Sequence, residues 1–282
     1  MQALYTIVHN SPQGDSGTAL DVSQNLDWPI AIRFTRNVGA RGYGTQDMRR
    51  MISAALGLWL GLAGMGFAQS GTANPVVVEL YTSQGCSSCP PADKILNGLA
   101  QRPDVIALAL HVDYWDYIGW KDSFADPAYS KRQRAYARFA GARTVYTPQM
   151  IVGGMDHLVG VRPAEVDALI RRFAAKPAPV ALSLRRSGGV VRVSARAGVP
   201  LPRGAVVQIV RYKPTETVTI QRGENAGRTI DYANIVTDWR QAGDWDGTSD
   251  LTLDLKAPGD DPVVIIIQEP GPGPILAAAV LR

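Results

Sequence analysis

The apolar positions of this chain change their spacing once. From about residue 75 to 175, β-branched runs alternate with stretches of helical period. Beyond Lys176-Pro177-Ala178-Pro179 apolar residues recur at every second position. The run Val76-Val77-Val78-Glu79-Leu80-Tyr81 predicts a buried strand, and residues 92–101 carry apolar side chains at helical spacing. Residues 105–112 predict a second buried strand. Residues 113–142 form a long insertion, aromatic at first and helical through 127–139. A third strand follows at 148–154, a fourth at 157–160 and an amphipathic helix at 163–173. After the linker, short strands are predicted at 182–185, 190–194, 206–211, 251–255, 263–268 and 275–281. The expected architecture is therefore an α/β domain over residues 74–176, carrying a helical insertion, followed by a smaller all-β domain over 180–282.

The front of the chain has a different character. Met48-Arg49-Arg50-Met51 precedes an uncharged apolar stretch that closes on Gly66-Phe67-Ala68. A positive start, an apolar centre and a small-x-small end are the parts of a secretory signal peptide, predicted over residues 48–68. A membrane anchor or a buried helix is the competing explanation. The stretch is at the short limit for a span and is rich in glycine, which favours the signal peptide. Residues 1–47 show no sustained period and much Gly, Asn and Asp. They read as disordered and as the product of a mis-assigned start, with Met48 as the true beginning. The protein is expected in the periplasm or secreted, with no membrane association after cleavage.

The chain of 282 residues is 46% hydrophobic and 19% charged, which is globular, and its formal charge of +4 is slight. No dense Lys/Arg stripe with interleaved aromatics occurs, so nucleic acid is not an expected partner.

The chemistry concentrates at Cys86-Ser87-Ser88-Cys89, which holds the only two cysteines of the chain. The pair lies between the first strand and the first helix, the context in which Cys-x-x-Cys points to redox chemistry. Free N–H groups at a helix start lower a thiol pKa, and the thiolate is the reactive species. Pro90-Pro91 fit a helix only in its first turn, so the cysteines sit at the loop-to-helix junction. Cys86 is the expected exposed nucleophile and Cys89 the resolving thiol. A purely structural disulfide gains little over so short a loop. Zinc wants four ligands. A copper site of two thiolates and a histidine stays open, because soft thiolates suit Cu(I). His111 and His157 are the histidines able to contribute, each equally explained as a hydrogen-bonded structural residue.

Residues 79–93, Glu79-Leu80-Tyr81-Thr82-Ser83-Gln84-Gly85-Cys86-Ser87-Ser88-Cys89-Pro90-Pro91-Ala92-Asp93, resemble the signature of a bacterial family of secreted thioredoxin-like proteins of unknown function, domain of unknown function 1223. His111-Val112-Asp113-Tyr114-Trp115-Asp116, Tyr146-Thr147-Pro148-Gln149 and Arg222-Gly223-Glu224-Asn225-Ala226-Gly227-Arg228 resemble its other blocks. The resemblance spans about residues 74–282 and implies a thioredoxin-like fold for the first domain. It also implies a cis bond at Thr147-Pro148, facing the cysteines, and a buried acid on the first strand for which Glu79 is the candidate. A strand-end carboxylate facing solvent or pairing with an arginine explains Glu79 equally well. The chain departs from ordinary thioredoxins in its Ser87-Ser88 dipeptide, its insertion and its β domain.

Tyr114, Trp115, Tyr117 and Trp120 surround Asp113 and Asp116 and suggest a substrate groove, of which Tyr114, Trp115 and Trp120 are the candidate contacts. Packing of the insertion onto the domain explains them as well. Lys131, Arg132, Arg134 and Arg138 read as a solvated helix face. The segment from Arg222 to Arg228 reads as a Gly-bearing turn between β segments, open to contact with the first domain or a ligand and without the context of a phosphate loop. The expected activity is an exported thiol–disulfide oxidoreductase. Cys86, Cys89, Thr147, Pro148 and Glu79 form its catalytic set, protein or small-molecule thiols and disulfides its partners, and it needs no cofactor or resident metal. The alternatives are a copper metallochaperone and a non-catalytic binding module.

Overall fold

The computed structural model describes residues 74–282. Residues 1–47, expected to be disordered, and the signal peptide expected over 48–68 lie outside this range. Among the described residues there are eleven strands and three α-helices, and no helix is long and apolar enough to cross a membrane.

The first half follows the predicted order. It runs β1 (Val76–Thr82), α1 (Pro90–Leu99), β2 (Val105–His111), a 3-10 turn at Asp116–Ile118, α2 (Pro127–Phe139), β3 (Gln149–Val152), β4 (Asp156–Leu158) and α3 (Pro163–Ala174). Each α-helix opens with proline in its first turn, where no N–H is needed. Asp126 caps α2 by accepting from the Ala128 N–H at 2.8 Å. Strands β1 and β2 run parallel, in register from Val76 opposite Val105 to Thr82 opposite His111. On its other side β1 pairs antiparallel with β3, and β4 closes that edge.

Alternation along β1 sorts its side chains between two cores. Val76, Val78 and Leu80 pack with Ala92 and Leu96 of α1 and with Val166 and Ile170 of α3. Val77 and Tyr81 point the other way, into a core that holds Tyr129 and Tyr136 of α2. Both faces of β1 are thus covered, which is why its sequence is apolar throughout. Each such side chain contributes about 1.5–3 kcal/mol on leaving water.

The second half overturns the expected architecture of a thioredoxin-like α/β domain with a separate, smaller all-β domain. Its strands are β5 (Val180–Ser187), β6 (Val190–Ala197), β7 (Ala205–Thr219), β8 (Thr229–Trp245), β9 (Leu251–Lys256), β10 (Val263–Gln268) and β11 (Ile275–Leu281). Four of them join the first half in one mixed sheet of eight strands, in the order β11-β10-β7-β8-β2-β1-β3-β4. The fold is mostly β, and the described residues belong to one compact unit. Residues 176–179 therefore turn the chain onto β5 and do not separate two bodies.

The seam between the halves is β8 against β2, parallel, with Ile235 opposite Ala109. Asn234 sits there at φ 49° and donates its Nδ2 to the Ala107 carbonyl at 2.8 Å. Asparagine tolerates this left-handed backbone, and its amide supplies a bond that the short ladder lacks. The remaining strands β5, β6 and β9 form a second sheet. Val180, Val191, Val193 and Ala195 of that sheet pack on Val207, Ile209, Val263, Ile265 and Ile267 of the large one. One side of β10 therefore meets the second sheet, while Val264 and Ile266 meet the α2 core, so its whole length is buried.

Candidate functional site

The parallel strands β1 and β2 end together, and the loop after β1 carries the cysteines over that end. Cys86 and Cys89 form a disulfide, with their Cα atoms 5.4 Å apart. Cys89 is the residue before the first turn of α1. Its carbonyl accepts from Ala92 N–H at 2.9 Å and Asp93 N–H at 3.1 Å, so the loop and helix are continuous. Ser88 Oγ lies 3.4 Å from Cys86 Sγ and is positioned to donate to that sulfur. Residues Cys86 and Cys89 are both 0% exposed, while Ser87 and Ser88 between them face solvent. The expectation of an exposed Cys86 is corrected by this burial.

Two segments, the insertion after β2 and the β7–β8 loop, produce the cover. Ile118 and Trp115 press on Gly85, leaving only 3.0 Å and 3.3 Å to the place a Cβ would occupy. Trp120 donates its indole N–H to Gln84 Oε1 at 2.8 Å. The loop between β7 and β8 reaches over from the far half of the sheet. There Asn225 Nδ2 donates to the carbonyls of Gln84 and Cys86, each at 2.9 Å.

Thr147 and Pro148 lie at the same end of the sheet. Gln149 pairs with Tyr81, which places Pro148 beside the end of β1. The Thr147–Pro148 bond is cis, as the family resemblance implied. Trp115 links this loop to the cysteine loop: its indole N–H donates to Thr147 Oγ1 at 2.7 Å while its Cβ abuts Gly85. Tyr117 is 81% exposed and stacks on Trp115, with ring centroids 6.4 Å apart. Trp115 and Trp120 therefore flank the cysteines. Tyr114 does not. Its hydroxyl donates to Gln133 of α2 at 3.0 Å, on the side away from α1.

Glu79 is not placed for proton transfer to the cysteines. It shares its face of β1 with Tyr81, opposite to α1, and is 0% exposed. Arg132 grips it with two bonds, Nε to Oε2 at 2.7 Å and Nη2 to Oε1 at 2.8 Å. The hydroxyls of Tyr81 and Tyr136 also donate to it, at 2.9 Å and 2.6 Å. Arg132 lies over the Trp239 ring at 3.8 Å, so it is a mostly covered, paired structural cation and not part of a solvated face. His157 belongs to the same side of the sheet, edge-on to Tyr136.

The carboxyl that does sit under the cysteine turn is Asp93, four residues after Cys89. Residues i and i+4 of a helix are surface neighbours. Asp93 is 2% exposed, and Thr82 donates to its Oδ1 at 2.8 Å. Its Oδ2 has no hydrogen-bond partner. Desolvation pushes its pKa up to about 7, against a smaller downward pull from His111 and from the Thr82 bond. His111 Nδ1 bonds Asp122 Oδ2 at 2.7 Å, and the same Asp122 oxygen accepts from Gln84 N–H at 2.8 Å. Burial pulls Asp122 upward, but His111 beside it wins and holds its carboxyl below the ordinary value. Tyr232 of β8 packs edge-on to His111 at 5.0 Å, and burial followed by Asp93 and Asp122 raises its hydroxyl pKa. His111 Nε2 and the Tyr232 hydroxyl, like Asp93 Oδ2, are buried without partners. Asp93, Asp122, Tyr232 and Asn225 were not singled out from sequence. For Asp93 the signal was present: it falls three residues before Leu96 on the buried stripe of α1.

A family model described as "Protein of unknown function (DUF1223)" matches residues 77–268. An Agrobacterium tumefaciens protein solved by X-ray crystallography is 35% identical, with a TM-score of 0.64 over 74% of this chain and 94% of that one. HBP35 of Porphyromonas gingivalis is 17% identical, with a TM-score of 0.54 over 74% of this chain and 75% of that one, a likeness of fold alone. No curated protein matches.

Proposed function

The chain belongs to the DUF1223 family of proteins of unknown function, and on that premise we propose that it is an exported thiol–disulfide exchange protein working through Cys86 and Cys89. One observation carries this. The only two cysteines form a disulfide at the start of α1, and a buried carboxyl with a free oxygen, Asp93, lies one turn further along the same helix.

The oxidised pair accepts two electrons from a dithiol. A substrate thiolate attacks Cys86 Sγ, the Cys86–Cys89 bond breaks, and Cys89 leaves as a thiolate. Asp93, protonated up to about pH 7, gives that thiolate its proton. The second substrate thiolate then attacks the substrate sulfur of the mixed disulfide and releases Cys86. Ser88 Oγ, already directed at Cys86, stabilises the departing charge by hydrogen bonding. The substrate ends as a disulfide, its two protons passing through the medium and Asp93 to the two cysteines. The reverse sequence oxidises the protein.

A copper site lacks a third donor. His111 is tied to Asp122, His157 packs on Tyr136, and among the described residues no three His, Cys, Asp or Glu side chains are placed to hold a metal ion. The test of exchange is two-electron transfer between the purified protein and a dithiol polypeptide. Loss of transfer is expected in Cys86→Ser, and its persistence there would overturn the assignment.

A further inference from the structure

The block from Arg222 to Arg228 has no part in the chemistry above, yet it meets the cysteines. It joins β7 to β8 and is closed on itself. Ile220 N–H bonds the Arg228 carbonyl at 2.9 Å, and Gly227 N–H returns to the Ile220 carbonyl at 2.8 Å. Ala226 and Arg228 add turn bonds to Gly223 and Asn225 at 3.2 Å and 3.1 Å. The loop thus arrives with its shape set. Gly223 has φ 77°, and a Cβ there would stand 3.4 Å from Trp120 Cβ and 3.5 Å from the Ile118 carbonyl. Its left-handed backbone favours glycine, while a Cβ would only touch these neighbours at ordinary contact distance.

Two side chains of this loop grip the cysteine turn. Asn225 is 1% exposed and spends both amide hydrogens on the carbonyls of Gln84 and Cys86. Glu224 Oε2 accepts from the backbone N–H of Ser87 at 3.4 Å. Carbonyls on either side of Gly85 and the amide after Cys86 are thus tied to an element more than 130 residues away. A cysteine in a short turn would ordinarily be open to solvent, and here it is covered.

We propose that Asn225 is the positioning residue of the exchange reaction, holding the cysteine turn closed over Cys86 so that a thiol reaches the sulfur only when the β7–β8 loop yields. This rests on the exchange reading of the pair. Asn225 touches the backbone that flanks Cys86 and not the reacting sulfur, so its effect is on access.

The test is the rate at which a water-soluble phosphine reduces the Cys86–Cys89 disulfide of the full mature chain. A phosphine attacks any accessible disulfide, so the rate reports the cover whether or not the protein exchanges with natural thiols. Asn225→Ala and Asn225→Asp both lack the two N–H donors, and each should be reduced on the order of tenfold faster while melting temperature and far-UV signal stay near wild type. Glu224→Ala, an exposed change that the fold tolerates, should be reduced about two- to threefold faster. Wild-type reduction rates in folded Asn225→Asp, or in Glu224→Ala should the Asn225 variants not fold, would overturn the proposal.

Discussion

Thr82, the last residue of β1, donates its hydroxyl to Asp93 Oδ1 at 2.8 Å, and the other oxygen of that carboxyl is buried without a partner. One bond is not enough to hold a buried carboxylate, so the neutral acid is the form that burial favours. A proton-bearing group is thereby fixed one helical turn from Cys89.

This arrangement makes stability depend on pH in a definite direction. Folding raises the Asp93 pKa from 3.8 to about 7. The stability contributed by the neutral form is full below about pH 4 and is lost as pH rises through 7. Asp122 acts oppositely: its pKa is lowered, so its contribution is present above the ordinary carboxylate range and lost as pH falls below it. On these two groups, stability should therefore peak at about pH 4 and fall toward pH 7. Asp93→Asn should match wild type at about pH 3.5 and melt about 3 °C or more above it at pH 8.5. Thermal unfolding across that range checks this, and parallel curves for the two proteins would contradict it.

Glu79→Gln separates the two buried acids. It leaves Arg132 mostly covered with its principal counter-charge gone. The expected cost is about 3–5 kcal/mol of stability in denaturant titration. The pH profile of thiol exchange, referred to folded protein, should not change. A stable Glu79→Gln protein with an altered pH profile would return Glu79 to the chemistry.

Trp115→Phe keeps the Cβ against Gly85 and removes the indole donor to Thr147 Oγ1. The expected loss of stability is about 1 kcal/mol. Exchange with a dithiol polypeptide should slow several-fold, mostly through KM, because Trp115 joins the two loops that border the cysteines. Unchanged kinetics would confine Trp115 to packing.

Export is tested at the N-terminus. Residues 48–68 have the composition of a signal peptide ending at Ala68. The mature protein should begin at Gln69 or close to it on N-terminal sequencing. Recovery of peptides from residues 1–47 in the exported protein would contradict the reading.

Local pattern carried the first half of the fold, because β1, β2 and α2 each bury side chains against neighbours in the same segment of chain. It did not carry β8. Residues Thr229, Asp231, Arg240 and Asp244 of that strand are exposed and polar, and only Tyr232–Val236 is buried against the first half, a five-residue signal inside seventeen. The merger of the two halves depends on Ile235 meeting Ala109 across 126 positions, which no local period encodes. At the site, Cys86, Cys89 and Pro148 were legible as motifs. The side on which Glu79 lies was misjudged through analogy, although strand alternation places Glu79 with Tyr81 and away from α1. The Arg222–Arg228 turn was legible as a segment open to contact with the first domain, but Asn225 within it looks like any turn residue until its distant partners are seen.

The most direct test of the central claim is to mix the oxidised mature protein with a reduced dithiol polypeptide, quench with acid, and map thiols by mass spectrometry. The expected result is one polypeptide disulfide formed for each protein dithiol gained, with the new thiols at Cys86 and Cys89, and with Cys89→Ser accumulating a mixed disulfide at Cys86. A Cys86–Cys89 bond that stays intact in the native protein at every concentration of dithiol, yet is reduced at once after denaturation, would make it a structural staple and contradict the account.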